Sequence, residues 1–413
     1  MNLPQEFTDY TSRLFGAARW KRFVQSFLQE TPVSVRINPW KSAENPFPNA
    51  DPVPWCRQGF WLKERRRFTV DPLFHAGVYY VQEAASLFLD YVLRQVVTAP
   101  VSALDLCAAP GGKSTLMRAA LPQGSVLVSN EIDRRRANIL LENILKQGHP
   151  DVLVTHNAPK DFAKTNLLFD VILTDAPCSG EGLFRREPDA VNEWSPQNVH
   201  FCAQRQRQIL SDIWPCLKDG GLLIYSTCTF NTHENEETVR WIAEELGADI
   251  LSVPVFSDWQ ITGSLLAHWQ QPVYRFIPGT TRSEGLFMAI LRKREGENTF
   301  STLPSSLRAQ VKKYPLLHVL SDGIPQPEAK GREQIPSAAQ ALSLAAQEAE
   351  FPRAELSLEE ALRYLHRETL KLPGNTPRGF VLVTYHGHPL GFVKNLGNRA
   401  NNLYPKPWAI RNL

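Results

Sequence analysis

Between about residues 100 and 230, short apolar runs alternate with stretches in which apolar positions recur every three or four residues. The runs at 102–107, 126–129, 151–155, 169–174 and 222–226 read as five buried strands. Between them, Ala137, Leu140, Leu141, Ile144 and Leu145 share one helical face, and Gly148 is a stop signal. A second helix carries Ser195 as its cap, Pro196 in its first turn and the stripe Cys202, Ile209, Leu210, Ile213, Trp214 and Leu217, with Gly220 beyond its end. Strands alternating with helices predict a parallel sheet covered on both faces, with strand order 3-2-1-4-5. Another helical stretch near 234–246 and two β-like runs at 273–277 and 285–292 extend that sheet at its edge.

The flanks have a different texture. Six prolines between Pro32 and Pro54 exclude a long helix there, although 33–38 alternates as one strand. Residues 1–70 therefore read as an N-terminal extension and 71–295 as the α/β domain. The stretch 296–350, rich in Ala, Ser, Gln and Pro, reads as a linker with some helix. In 351–413, the run from Gly379 predicts a hairpin in a small β-rich domain.

With 413 residues, 43% hydrophobic and 21% charged, the chain is long enough for two or three globular domains. It contains no apolar run of membrane-spanning length, and its start does not resemble a targeting signal, so a cytoplasmic protein with no membrane partner is expected. The net charge, 45 − 42 = +3, says little about partners, but from Lys371 to Leu413 there are six basic residues and no acidic ones. Mixed with Tyr385, Tyr404 and Trp408, this end is a candidate for holding phosphates and stacking on bases. The six cysteines form no C-x-x-C pair and read as free thiols. The gaps of 24, 14 and 12 residues between Cys178, Cys202, Cys216 and Cys228 match no usual zinc spacing, so no metal is expected.

Three motifs carry the chemistry. The first, Asp105 to Thr115, spans the turn from strand one into a helix and contains Cys107, Ala108, Ala109, Pro110, Gly111, Gly112 and Lys113. Adjacent glycines at a helix start allow close approach of a ligand, and Glu131, 20 residues after Gly111, is an acid suited to a ribose diol. The P-loop spacing is absent, which favours a nucleoside cofactor without a phosphate clamp. The second motif runs from strand four into Asp175-Ala176-Pro177-Cys178-Ser179-Gly180-Glu181-Gly182, and the third from strand five into Thr227-Cys228. Strands four and five are neighbours, about 4.8 Å apart, so Asp175, Cys178 and Cys228 are expected to converge beside the cofactor. Cys202 and Cys216 fit plain packing.

Together, CAAPGGK, DAPCSGEG and YSTCTF resemble the Nop/Sun family of S-adenosylmethionine-dependent RNA cytosine-5 methyltransferases, in a layout similar to its bacterial RsmF-like members, which act on small-subunit ribosomal RNA. Pro72 to Ser86, with Tyr79, Tyr80, Gln82 and Glu83, also looks like the family's segment before the first motif. The resemblance implies a Rossmann-like class I methyltransferase sheet, an N-terminal RNA-recognition extension and a C-terminal PUA-like domain. It implies S-adenosylmethionine as cofactor, held by Cys107 to Lys113, Glu131 and Asp175, and a monomer acting on 16S ribosomal RNA or the small subunit.

By the same resemblance Cys228 is the attacking thiolate, Cys178 assists product release, and Asp175, with Lys113 nearby, meets the polar edge of cytosine. DNA cytosine-5 methyltransferases use a cysteine after proline in a comparable position, so spacing leaves the assignment of Cys178 and Cys228 open. After strand three the family usually has an acidic residue near an Asn. Here Ala158 and Pro159 follow Asn157, leaving Asp161 as a candidate for the adenine edge. Arg185 and Arg186, Arg65 to Arg67 and Arg134 to Arg136 are basic clusters placed to meet RNA. The alternatives are transfer RNA as substrate and a catalytically silent RNA-binding assembly factor. Amino methylation of adenine would ask for an Asn or Asp with two prolines and an aromatic residue, which Asp175-Ala176-Pro177-Cys178 does not provide.

Overall fold

The computed structural model describes residues 3–294, 303–331, 333–344 and 351–411. The chain opens with α1 (Gln5–Ser26), a helix interrupted at Gly16, whose φ of 72° lies in the left-handed region. The sequence pattern did not show this helix. Its buried Phe7, Phe15 and Phe23 are eight residues apart and the break at Gly16 disrupts the period. These rings pack against Phe184, Trp194, Phe230 and Ile277, tying the helix to the loops that follow the fourth and fifth core strands. Strands β1 (Ser34–Ile37), β2 (Asp51–Pro52), β3 (Gly59–Trp61) and β4 (Tyr79–Val81) form an antiparallel sheet in the order β2-β3-β1-β4. Between β3 and β4 lies α2 (Pro72–His75), capped by the Asp71 side chain, and after β4 comes α3 (Phe88–Val96).

The central sheet follows. Its members are β5 (Ser102–Asp105), β6 (Val126–Asn130), β7 (Val152–Thr155), β8 (Phe169–Asp175), β9 (Leu217–Thr227), β10 (Ala248–Leu251), β11 (Tyr274–Phe276), β12 (Leu286–Lys293) and β13 (Val319–Ser321). The order is β10-β12-β9-β8-β5-β6-β7-β13, with β11 on β12, so the parallel core β7-β6-β5-β8-β9 has the predicted 3-2-1-4-5 order. Helices α4 (Gly112–Ala120), α5 (Arg134–Gln147), α6 (Pro159–Ala163), α7 (Pro188–Glu193), α8 (Pro196–Ile213) and α9 (Glu236–Glu245) connect its strands. The caps are those read from the sequence: Ser195 accepts from the Asn198 amide to start α8, and Gly148, at φ 86°, ends α5.

One boundary differs. Helix α8 stops at Ile213, a single 3-10 turn covers Trp214–Cys216, and Leu217 already belongs to β9. Pro215 has no amide hydrogen and cannot continue the helix. The edge runs near 273–277 and 285–292 pair antiparallel beside β9, as expected, and β10 adds one strand more.

Part of the stretch read as a linker is built into this domain. Helix α10 (Pro304–Lys312) buries Leu307 and Val311 against the same core as Phe162 and Phe169, and β13 pairs with β7. A hairpin of β14 (Glu328–Lys330) and β15 (Glu333–Ile335) and a short α11 (Ala338–Leu342) follow; residues 296–302, 332 and 345–350 of the expected linker region, and residue 295 before it, lie outside the described residues.

At the C-terminus β16 (Arg353–Glu355), β17 (Gly379–Tyr385), β18 (His388–Asn395) and β19 (Ala400–Asn402) form a four-stranded sheet covered by α12 (Leu358–Leu365), with the predicted hairpin at β17-β18. Its core residues Tyr364, Val381 and Val393 belong to one apolar cluster with Val35, Ile37, Val78 and Tyr79 of the N-terminal region. The two ends of the chain therefore share a core. Tyr404, expected to be available for bases, is buried there, with its ring 5.4 Å from that of Tyr364 and its hydroxyl 3.4 Å from His75 Nδ1. Among the described residues no helix is long and apolar enough to cross a membrane, and no group of three or more His, Cys, Asp or Glu is placed to hold a metal ion.

Candidate active site

A cleft of about 800 Å³ opens at the carboxyl ends of the parallel strands, where ligands bind in open α/β sheets. Cys107 and Ala109 of the first motif line it, with Glu131 and Ile132 after β6, Ala158 to Lys160 after β7, Asp175 to Cys178 after β8 and Cys228 after β9. Register explains the convergence. Asp175, the last residue of β8, pairs with Ser226 of β9, so the two cysteine-bearing loops leave the sheet side by side.

Cys178 Sγ lies 3.2 Å from Cys228 Sγ. The contact with Cys228 and burial hold the Cys178 thiol far above its ordinary pKa, so Cys178 keeps its proton. Beside them Lys113 Nζ is 2.8 Å from Asp175 Oδ2, and Ser226 Oγ donates to Asp175 Oδ1 at 2.7 Å. Burial alone would lower the Lys113 ammonium, but Asp175 and the nearby Cys228 sulfur outweigh it and Lys113 stays charged. The remaining thiols are inert by comparison: burial pushes Cys56 and Cys216 up to about 12 and Cys202 up to about 11, and also raises Cys107, which faces the cleft.

The residues fit an adenosine-bearing methyl donor. Glu131 is 2% exposed at the tip of β6; its Oε1 accepts from the Asp133 amide, whereas Oε2 has no hydrogen-bond donor, only the Arg136 guanidinium 3.5 Å away. A buried carboxylate oxygen left without a donor, on a residue that lines the cleft, suits a ribose hydroxyl. Glycine at 111 and 112 is set by packing rather than by the ligand. At Gly111, with φ 115°, a Cβ would sit 3.3 Å from Leu140 and Asn143 side-chain atoms, and at Gly112 3.1 Å from the Tyr80 ring. Pro110 is exposed and Ala108 buried, so within the Cys107 to Lys113 loop it is Cys107 and Ala109 that line the cleft wall. The segment 79–83 buttresses this loop from behind, where Arg36 links Gln82 to Thr115.

Three other expectations are corrected. Asp161 is taken up locally: its Oδ2 accepts from the Ala158 amide at the start of α6 and Oδ1 faces Lys164, while the cleft is lined by Ala158, Pro159 and Lys160 instead. Arg185 is not a surface cation. Its side chain is 6% exposed, paired with buried Glu284 at 2.8 Å and reaching the Gln29 and Glu30 carbonyls, whereas Arg186 is exposed. Arg136 spends one amino group on the Ala109 carbonyl, while Arg65 to Arg67 remain on the surface.

The sequence reading missed two acids behind the thiols. Glu181 and Glu234 are 1% and 0% exposed and lie in one hydrogen-bonded web with Ser179, Asn231 and Gln206. The available signal was their position, Glu181 between two glycines just after Cys178 and Glu234 six residues after Cys228.

Comparison with known proteins bears on the family and the domain layout. The model of 16S rRNA methyltransferase RsmB/F matches residues 98–292, that of the N-terminal domain of 16S rRNA methyltransferase RsmF residues 3–84, and that of the methyltransferase RsmF PUA domain residues 351–410. The chain is 30% identical to ribosomal RNA small subunit methyltransferase F of Escherichia coli O157:H7 over 90% of its own length and 89% of that protein. With the same-named protein of Pectobacterium atrosepticum it is 33% identical over 71% of its length and 63% of that protein. Among solved structures, a methyltransferase homologue from Pyrococcus horikoshii superposes with a TM-score of 0.57 at 25% identity, covering 70% of this chain and all of that one. A Rossmann-like sheet with three motifs converging on one cleft, flanked by RsmF-type N-terminal and PUA domains, shows that the chain belongs to the RsmF-like branch of the Nop/Sun S-adenosylmethionine-dependent rRNA methyltransferases.

Proposed function

We propose that this protein methylates carbon 5 of a cytosine in 16S ribosomal RNA through a covalent cysteine adduct. The observation that carries the reading is the pair of sulfurs, Cys178 and Cys228, 3.2 Å apart in the wall of the cleft that also holds Asp175 and Glu131. Carbon 5 of cytosine is a poor nucleophile until a thiolate adds to carbon 6. Cys228 is the group for this addition: it lines the cleft, Lys113 lies near it, and the Cys178 thiol, which keeps its proton, is 3.2 Å away. Addition forms the Cys228 Sγ–carbon 6 bond and shifts the ring electron pair to carbon 5. Asp175, oriented by Lys113 and Ser226, accepts from the amino group of the base and fixes the ring against Cys228, while the Lys113 ammonium beside it offsets the negative charge that the ring gains. S-adenosylmethionine, when bound against Cys107, Ala109, Glu131 and Ile132, supplies an electrophilic methyl group. Once carbon 5 has taken that methyl group and S-adenosylhomocysteine has left, loss of the carbon 5 proton to water restores the ring double bond, and Cys228 leaves as a thiolate that accepts the hydrogen bond of the Cys178 thiol.

The target base must leave any stack to reach this cleft, at a cost of a few kcal/mol that is least in loops and junctions. In this reading the N-terminal extension (1–70) and the C-terminal domain (351–413) carry the RNA around the cleft, with exposed Arg65 to Arg67, Arg186, Lys371, Arg378, Arg399 and Lys406 meeting phosphates, and the protein acts as a monomer in the cytoplasm. Incubation with methyl-labelled S-adenosylmethionine and small-subunit RNA tests it. Label in 5-methylcytosine is the expected product; label in methylated adenine, or none with either naked RNA or subunits, overturns it.

A further inference from the structure

The reaction makes no direct use of Glu181 or Glu234, yet each carboxylate crosses from one cysteine loop to the other. Glu181 belongs to the loop of Cys178 and accepts from the amides of Phe230 at 2.6 Å and Asn231 at 3.0 Å, in the loop of Cys228. Glu234 belongs to the loop of Cys228 and accepts from the amide of Ser179 at 3.0 Å and from its hydroxyl, next to Cys178. Asn231 Nδ2 lies between them, 3.1 Å from Glu181 Oε1 and 2.8 Å from Glu234 Oε1. Gln206 donates to both Glu234, at 2.7 Å, and the Pro177 carbonyl, at 3.0 Å, and the Gly182 amide donates to the Cys228 carbonyl at 2.7 Å.

We propose that Glu181 and Glu234 are positioning residues that hold the Cys178 and Cys228 loops in register, so that the Cys178 thiol meets the Cys228 sulfur when the product is released. The inference rests on the adduct reading above. Two acids buried side by side are costly, and packing alone would be served as well by apolar residues. What the carboxylates provide is directed acceptance: eight N–H and O–H contacts converge on four oxygens and leave the loops a single relative placement. Burial, with Glu181 beside it, raises the Glu234 carboxyl to about 7, and in its ionised form its charge works against ionisation of Cys178.

The test uses Glu234→Gln, Glu181→Gln and Ser179→Ala in the full-length protein. Gln keeps the shape but turns an amino group toward donors, and Ser179→Ala removes one donor while leaving both carboxylates. Each variant is incubated with cytosine RNA and S-adenosylmethionine, and denaturant-stable protein–RNA complex is quantified beside melting temperature, kcat and KM. Impaired release leaves roughly tenfold more covalent complex than wild type, less than the ~100-fold or greater cost of losing a proton-transfer group outright. It also lowers kcat more than KM, and adding Glu234→Gln to Cys178→Ala gives no further accumulation. Adduct and methylation falling together with the folded fraction overturn the proposal. If the Gln variants do not fold, Ser179→Ala decides, and wild-type levels of complex overturn it. If Cys178→Ala itself gives no complex, the adduct reading fails instead.

Discussion

Lys113 reaches from the first turn of α4 to the tip of β8, where its Nζ lies 2.8 Å from Asp175 Oδ2. The same ammonium is the cation beside Cys228. Replacing it, as in Lys113→Met, removes the positive charge beside Cys228 and leaves Asp175 with Ser226 alone. Alkylation of Cys228 by iodoacetamide at pH 7, followed by mass spectrometry, is expected to slow by roughly tenfold, the effect of about 1.4 kcal/mol. Cys56, Cys202 and Cys216 stay unlabelled in both proteins, since burial keeps them protonated.

The two acids after β6 and β7 separate by what they touch. Glu131→Ala removes the cleft-lining carboxylate with an unpartnered oxygen, and the affinity for S-adenosylhomocysteine falls by roughly 10- to 100-fold, the range for a hydrogen bond to a charged group. Asp161→Ala loses a bond at the start of α6, costing about 1 kcal/mol of stability, and leaves that affinity unchanged. Calorimetric titration of both variants checks the contrast.

Arg185 and Arg186 are adjacent in sequence and opposite in role. Arg185→Ala leaves buried Glu284 without its cation, to be neutralised by a proton, and destabilises the fold by roughly 1–3 kcal/mol, as measured by denaturant unfolding. Arg186→Ala leaves stability alone and reduces the salt dependence of RNA binding by about one unit of slope.

Glu284 also sets a pH signature. Burial raises its carboxyl from 4.5 to about 7, so the folded protein binds its proton more tightly than the unfolded chain does. The resulting destabilisation is absent below pH 4.5, grows as pH rises and is complete above about 7. The stability difference between Glu284→Gln and wild type therefore moves in favour of the variant between pH 5 and 8, by no more than about 3 kcal/mol. Thermal melts across that range check the sign.

What the sequence shows of this molecule follows from where local pattern decides structure. The five core strands, the caps Ser195 and Gly148 and the meeting of Asp175, Cys178 and Cys228 are legible because strand period, turn chemistry and sheet order together place them. Helix α1 is not, since its three phenylalanines bury against loops distant in sequence and Gly16 breaks its period. The fate of Tyr404 depends on the C-terminal domain closing on His75, and that of Arg185 on meeting Glu284, contacts between residues about 330 and 100 positions apart. Glu181 and Glu234 carry no signal of a joint role in sequence, because their partners lie on the opposite cysteine loop, about 50 positions away.

The shared core of the chain ends bears on how RNA binding is dissected. Removing 351–413 would uncover Val35, Ile37 and Tyr79, so loss of binding in that truncation would mix unfolding with loss of RNA contacts. Reversing the exposed Arg399 and Lys406 in the intact chain isolates the RNA contribution, which is expected to appear as weaker, less salt-dependent binding.

The most direct measurement is covalent capture on RNA carrying 5-fluorocytosine, where carbon 5 has no proton to lose after methyl transfer. With S-adenosylmethionine, wild type and Cys178→Ala are expected to form a denaturant-stable complex and Cys228→Ala none, while on ordinary cytosine RNA only Cys178→Ala of these three accumulates it. Complex formation by Cys228→Ala and its loss in Cys178→Ala would contradict the account.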